Sequence, residues 1–63
     1  MLDLDNALAD LAKVDPRKAR LVELRYFGGL TMEESAEGLG TSLATAERDW
    51  KFSRAFLLRE LGG

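Results

Sequence analysis

The corner Gly40-Thr41-Ser42 constrains this chain more than any other stretch. It lies inside "GLGTSLATAERDW", residues 38–50. Before the corner, Met32, Ala36 and Leu39 fall at helical spacing on one stripe. After it, Ser42 is placed to cap a new helix that carries Glu47, Arg48 and Asp49 beside Trp50. Gly40 suits the left-handed backbone that ends a helix. Two helices separated by so few residues must cross sharply, and the second then presents an outer face with no neighbour before it.

The rest of the chain reads as helix as well. In "DLDNALADLAKV", residues 3–14, Leu4, Ala7, Leu8 and Leu11 make one apolar stripe. Asp3 and Asp5 sit in its first turn, where the helix dipole favours negative charge. Asp15-Pro16 punctuates the sequence: aspartate caps, and proline fits the first helical position because its missing N–H had no partner there anyway. A second helix follows to Phe27, with Ala19, Val22 and Tyr26 on one stripe. Leu21, Leu24 and Phe27 spread around its other sides, as in a central helix packed from several directions. Gly28-Gly29 ends it. Thr31 and Glu34 then form a capping box. The pattern predicts an all-α fold: a small four-helix domain with helices at about 3–14, 16–27, 32–39 and 43–61 and a C-terminal helix-turn-helix. The expected core is Val22, Leu24, Leu39, Trp50 and Leu57, with Leu43, Ala46, Ser53 and Leu61 on the inward side of the last helix. Phe52 points away from that stripe.

Composition removes most other functions. With 63 residues the chain holds one domain, and a domain of that size buries only ~60% of its extended-chain surface. It has no cysteine and no histidine, which excludes disulfides, the common zinc sites and Ser-His or Cys-His catalysis. Glu33, Glu34 and Glu37 scatter over an exposed helix surface and make no catalytic carboxylate pair. No catalytic residue, metal site or cofactor is expected. No apolar run approaches the length of a membrane span and no signal-peptide pattern opens the chain, so the expected location is the cytoplasm. Net charge is −2, but it is unevenly spread. Residues 13–25 hold Lys13, Arg17, Lys18, Arg20 and Arg25 against Asp15 and Glu23, whereas 31–37 are acidic.

A tight helix-turn-helix with glycine in the turn is the geometry of major-groove DNA readers. Small Ala44 and Thr45 would allow close approach, Arg48 and Lys51 would reach bases or phosphates, and the capped helix start at Thr31 would aim backbone N–H groups at a phosphate. A plain corner in a helical bundle would carry the same spacing.

The run "LRYFGGLTMEESAEGLG", followed by a serine-started helix with "ATAER" and then Arg and Leu at helical spacing, resembles region four of bacterial RNA polymerase sigma factors of the extracytoplasmic-function type. The resemblance covers residues 7–61. It implies a sequence-specific domain that recognises the promoter −35 element in double-stranded DNA and docks on the β flap of the RNA polymerase core. Position by position it implies base-facing roles for Glu47, Arg48, Lys51 and Phe52, and a backbone contact for Arg25. Phe52 would then meet a thymine methyl, and Glu47 would accept from cytosine N4 or pair with Lys51 at i,i+4.

The chain departs from the family pattern at Glu47, Asp49 and Phe52, where basic residues are common, and at Gly38 and Thr41, where alanine and an aliphatic residue are usual. The first group should weaken phosphate attraction and the second loosen the fold. Since the chain is too short for a −10-binding domain, it is expected to be a C-terminal domain excised from a longer factor, a monomer or weak dimer, with an anti-sigma factor as a further partner. Two other readings fit the same helices: a response-regulator DNA-binding domain, and a helix-turn-helix that binds only protein.

Overall fold

The computed structural model describes residues 4–62. They form α1 (Leu4–Val14), α2 (Pro16–Tyr26), α3 (Met32–Leu39) and α4 (Leu43–Gly62), with no strand among the described residues. Asp3 lies outside them. Helix α2 packs on α1, α3 and α4; α4 also packs on α1 and α3.

Local chemistry sets the helix ends. The Asp15 carboxylate accepts the Arg17 N–H at 3.0 Å, with Pro16 in the first turn. The Glu34 N–H donates to the Thr31 hydroxyl at 3.1 Å, and the Thr31 N–H donates back to the Glu34 carboxylate at 2.8 Å. Ser42 Oγ accepts the Thr45 N–H at 3.1 Å and starts α4. At the end of α3, Gly40 is left-handed with φ +69°. That conformation lets the Thr41 N–H reach back to the Ala36 carbonyl at 3.0 Å, closing the helix. After α2 the left-handed residue is Gly29 (φ +68°), not the Gly28-Gly29 pair. Gly28 is needed for space instead, because a Cβ there would sit 2.7 Å from the Leu24 carbonyl oxygen.

The main core joins three helices: Ala7, Leu8 and Leu11 of α1, Ala19 and Val22 of α2, and Leu57 of α4. Leu21, Ala36 and Ala46 are buried as well. Several expected core positions differ. Trp50, Leu24 and Leu39 are half-buried, Tyr26 is 60% exposed and Leu43 is 41% exposed. Leu21, expected off the stripe, is fully buried. For Trp50 and Leu43 the cause is a rotation of the inward face of α4. Its buried positions are Ala46, Asp49, Ser53 and Leu57, so a carboxylate stands where the sequence pattern placed Trp50. Trp50 lies at the edge instead, with its ring 5.5 Å from that of Tyr26.

Candidate nucleic-acid interface

The corner at Gly40–Ser42 throws the first turns of α4 outward. Ala44, Glu47, Arg48 and Lys51 are exposed, and their spacing keeps them along one side of the helix. Thr45 is half-buried, its hydroxyl oxygen accepting from Ser42 Oγ at 3.0 Å. The ion pairs among the described residues use Asp10, Asp15 and Asp49; Glu47 and Lys51 do not pair with each other. The outer face therefore offers Glu47 as a free acceptor beside two cations.

Phe52 is 47% exposed and lies at one edge of this face. Its ring stacks on Phe56 with centroids 6.2 Å apart, and Lys18 Nζ stands 5.3 Å from its centroid. A cation over a ring face is attracted by the ring quadrupole. The phenyl group is thus tied at one side to α2 while its other side meets solvent.

Arg25 is turned inward. Its Nη1 donates to the Leu30 carbonyl at 3.0 Å, and its guanidinium lies 5.0 Å from the centre of the Trp50 ring. This arginine braces the turn between α2 and α3 against α4; its Nε–H is buried with no hydrogen-bond partner among the described residues, so only the remaining Nη N–H groups are available to a phosphate. Thr31, at the exposed start of α3, spends its own N–H on Glu34. The first-turn N–H groups of Met32 and Glu33 are the ones left without an intrahelical partner.

The basic run of residues 13–25 is largely consumed within the fold. Lys13 lies 3.9 Å from Asp10. Arg17 Nη2 is 3.0 Å from Asp49 Oδ2, and Lys18 Nζ is 2.9 Å from Asp15 Oδ2 and 3.4 Å from Asp49 Oδ1. The hydrogen bond from Lys18 holds the Asp15 carboxyl below its ordinary range, and Asp15 in turn raises the Lys18 ammonium, with Asp49 adding to the effect. The role of Asp49 was hidden in the sequence. The available signal was its spacing, three residues after Ala46 and four before Ser53, which sets it on the same face as both small residues. Ser53 Oγ donates to the Asp49 carbonyl at 2.7 Å, so even its hydroxyl is satisfied inside the helix.

A short helix, a left-handed glycine corner and a second helix with an exposed, charged first half make a helix-turn-helix. The family model for the ECF sigma factor matches residues 1–63, and the chain belongs to that family. Membership assigns it to transcription initiation, with RNA polymerase core and promoter DNA as partners, among non-catalytic transcription regulators. No curated protein and no solved structure matched the chain. No helix among the described residues is long and apolar enough to cross a membrane.

Proposed function

We propose that this chain is the region-four domain of an ECF sigma factor, that α4 reads the promoter −35 element, and that the domain docks on the β flap of RNA polymerase. The observation that supports this most is the division of charge. Arg17, Lys18 and Lys13 are engaged in ion pairs, whereas Arg48 and Lys51, on the outer face of α4, have no ion-pair partner among the described residues. That face begins immediately after the corner, where a recognition helix meets base edges. In this reading Arg48 makes the principal base contact and Lys51 a base or phosphate contact. Ala44 and Thr45 permit close approach, Phe52 offers an apolar edge, and Glu47 selects against bases that present only acceptors. Arg25 and the α3 start at Thr31 approach the backbone, Arg25 chiefly by holding the turn. The flap is assigned to the apolar groove formed by Leu4, Tyr26, Trp50, Leu58 and Leu61, on which Tyr26 and Leu58 are largely exposed.

The test is a titration of wild type, Arg48→Ala and Glu47→Arg against a −35 duplex and a scrambled duplex, beside a pull-down with polymerase core. Arg48→Ala should cost ~1–3 kcal/mol on the preferred duplex alone. Glu47→Arg should tighten binding to both while changing which base is preferred. If both variants bind both duplexes as wild type does, while core still captures the chain, the corner serves protein binding instead.

A further inference from the structure

In the first half of α4 the buried side chains are small or charged, and the large apolar group there, Trp50, packs on the core only from its edge. The buried side chains there are Ala46 and Asp49, followed by Ser53; the first large apolar side chain to be buried is Leu57. Small residues allow close approach but set rotation poorly, because a helix can turn about its own axis without leaving a deep socket. Beside the edge contact of Trp50 with Tyr26, the ionic contact at this level is strongly directional. Asp49, 5% exposed, uses both carboxylate oxygens: Oδ2 faces Arg17 Nη2 at 3.0 Å and Oδ1 faces Lys18 Nζ at 3.4 Å. Both cations come from the first turn of α2, and Lys18 is itself anchored by Asp15 at 2.9 Å. Asp49 immediately follows Arg48 and lies two residues from both Glu47 and Lys51. Any rotation that breaks the pair swings those three side chains along the groove.

We infer that Asp49 is a positioning residue for base recognition: clamped by Arg17 and Lys18, it fixes the rotation of α4 so that Glu47, Arg48 and Lys51 meet their bases, and it does so without touching DNA. Buried ionic groups are best attested in this kind of register-setting role. The inference rests on the reading of α4 as the base-contacting helix.

Asp49→Asn separates this role from two simpler ones. It removes one negative charge and releases two cations, so affinity for a scrambled duplex should rise and the salt slope should steepen by about one unit. Preference for the best duplex over the scrambled one should nevertheless fall, by about fivefold or more, the low end of what one base contact discriminates. Asp49→Glu keeps the charge and should recover most of that preference. Arg17→Gln should also lower the preference, although it removes a cation, and its half-exposed site makes it the variant that stays folded if Asp49→Asn does not.

The experiment selects duplexes from a random pool with the wild-type chain. It then titrates wild type and the three variants against the best duplex and a scrambled one at two salt concentrations, with helicity checked by circular dichroism. If wild type enriches no sequence, the base-reading assignment fails and the inference falls with it. If wild type discriminates but folded Asp49→Asn and Arg17→Gln discriminate equally well, the inference alone is overturned. A change in preference for Asp49→Asn with none for Arg17→Gln would place Asp49 in the groove itself and also overturn it.

Discussion

Arg17 at the start of α2 and Asp49 in α4 face each other across the helix interface, Nη2 to Oδ2 at 3.0 Å, with the carboxylate 6% exposed and the arginine 47% exposed. The pair joins the first half of α4 to the capped start of α2. Asp49→Ala should therefore destabilise the domain by about 1–3 kcal/mol: a hydrogen bond to a charged group contributes about 1.5–3 kcal/mol, and the half-solvated arginine brings the lower end down. In a domain this small, each kcal/mol moves the melting temperature by roughly 4–8 °C. Thermal unfolding followed by circular dichroism measures it; an unchanged midpoint would mean that the pair contributes no stability.

Gly38 lies inside α3, and a Cβ there would meet only Leu24 Cδ1, at 3.9 Å, an ordinary van der Waals distance. Gly38→Ala should raise stability by roughly 0.4–1 kcal/mol by narrowing the unfolded ensemble. Thr41 is half-buried beside the corner, and Thr41→Ile should add to the gain by covering apolar surface. Urea titration of the two single variants and the double variant checks both; a lower midpoint for Gly38→Ala would contradict the open space seen at that position.

Trp50 bridges Tyr26 and Arg25 at the edge of the core rather than filling its centre. Trp50→Ala should cost less than the ~3–5 kcal/mol typical of a fully buried aromatic. Its fluorescence should be quenched in part by iodide or acrylamide, between the extremes of free tryptophan and a sealed core. Complete protection from quencher would place the indole deeper than the half-buried position found here.

Two carboxyls should respond to acid in opposite senses. Asp15, lowered from 3.8 by the hydrogen bond from Lys18, contributes stability above 3.8 that is lost as pH falls through its lowered folded value. Lys18, raised from 10.5 mainly by Asp15, contributes below 10.5 and loses that contribution as pH rises through its raised value. Glu60 is raised from 4.5, first by its hydrogen bond with Asp10, so the folded state holds that proton more tightly than the unfolded chain. Stability from this group falls as pH climbs from 4.5 through the raised value. Glu60→Gln should thus raise the melting temperature near about pH 7 and give no gain near about pH 3, whereas Asp15→Asn should lower it near neutrality. Melting curves across pH decide it; a Glu60→Gln gain that is the same at both ends would rule out the Asp10 contact as its cause.

The helices and their ends were legible in the sequence because the forces that set them are local. Asp15-Pro16, the Thr31–Glu34 box, Ser42 and the left-handed Gly40 each act within a few residues of themselves, so their spacing alone announces them. The outer face of α4 was legible for the same reason: once the corner is fixed, helical periodicity puts Ala44, Arg48 and Lys51 on one side, while Glu47 was drawn into that face by the family resemblance. What only the tertiary structure decided is where the remaining charges go. Helical spacing grouped Trp50 with Leu43, Ala46, Ser53, Leu57 and Leu61 and left Asp49 off that stripe. A buried carboxylate is costly unless compensated, and nothing near Asp49 in the sequence compensates it. The compensation comes from Arg17 and Lys18, a whole helix hairpin away in the chain, and it became possible only when α2 packed on α4. Arg25 turned inward for the same kind of reason, because the Leu30 carbonyl and the Trp50 ring meet its guanidinium only in the folded domain. Sequence spacing determines which side of a helix a residue occupies; the partner that makes burying a charge tolerable is a property of the packed helices.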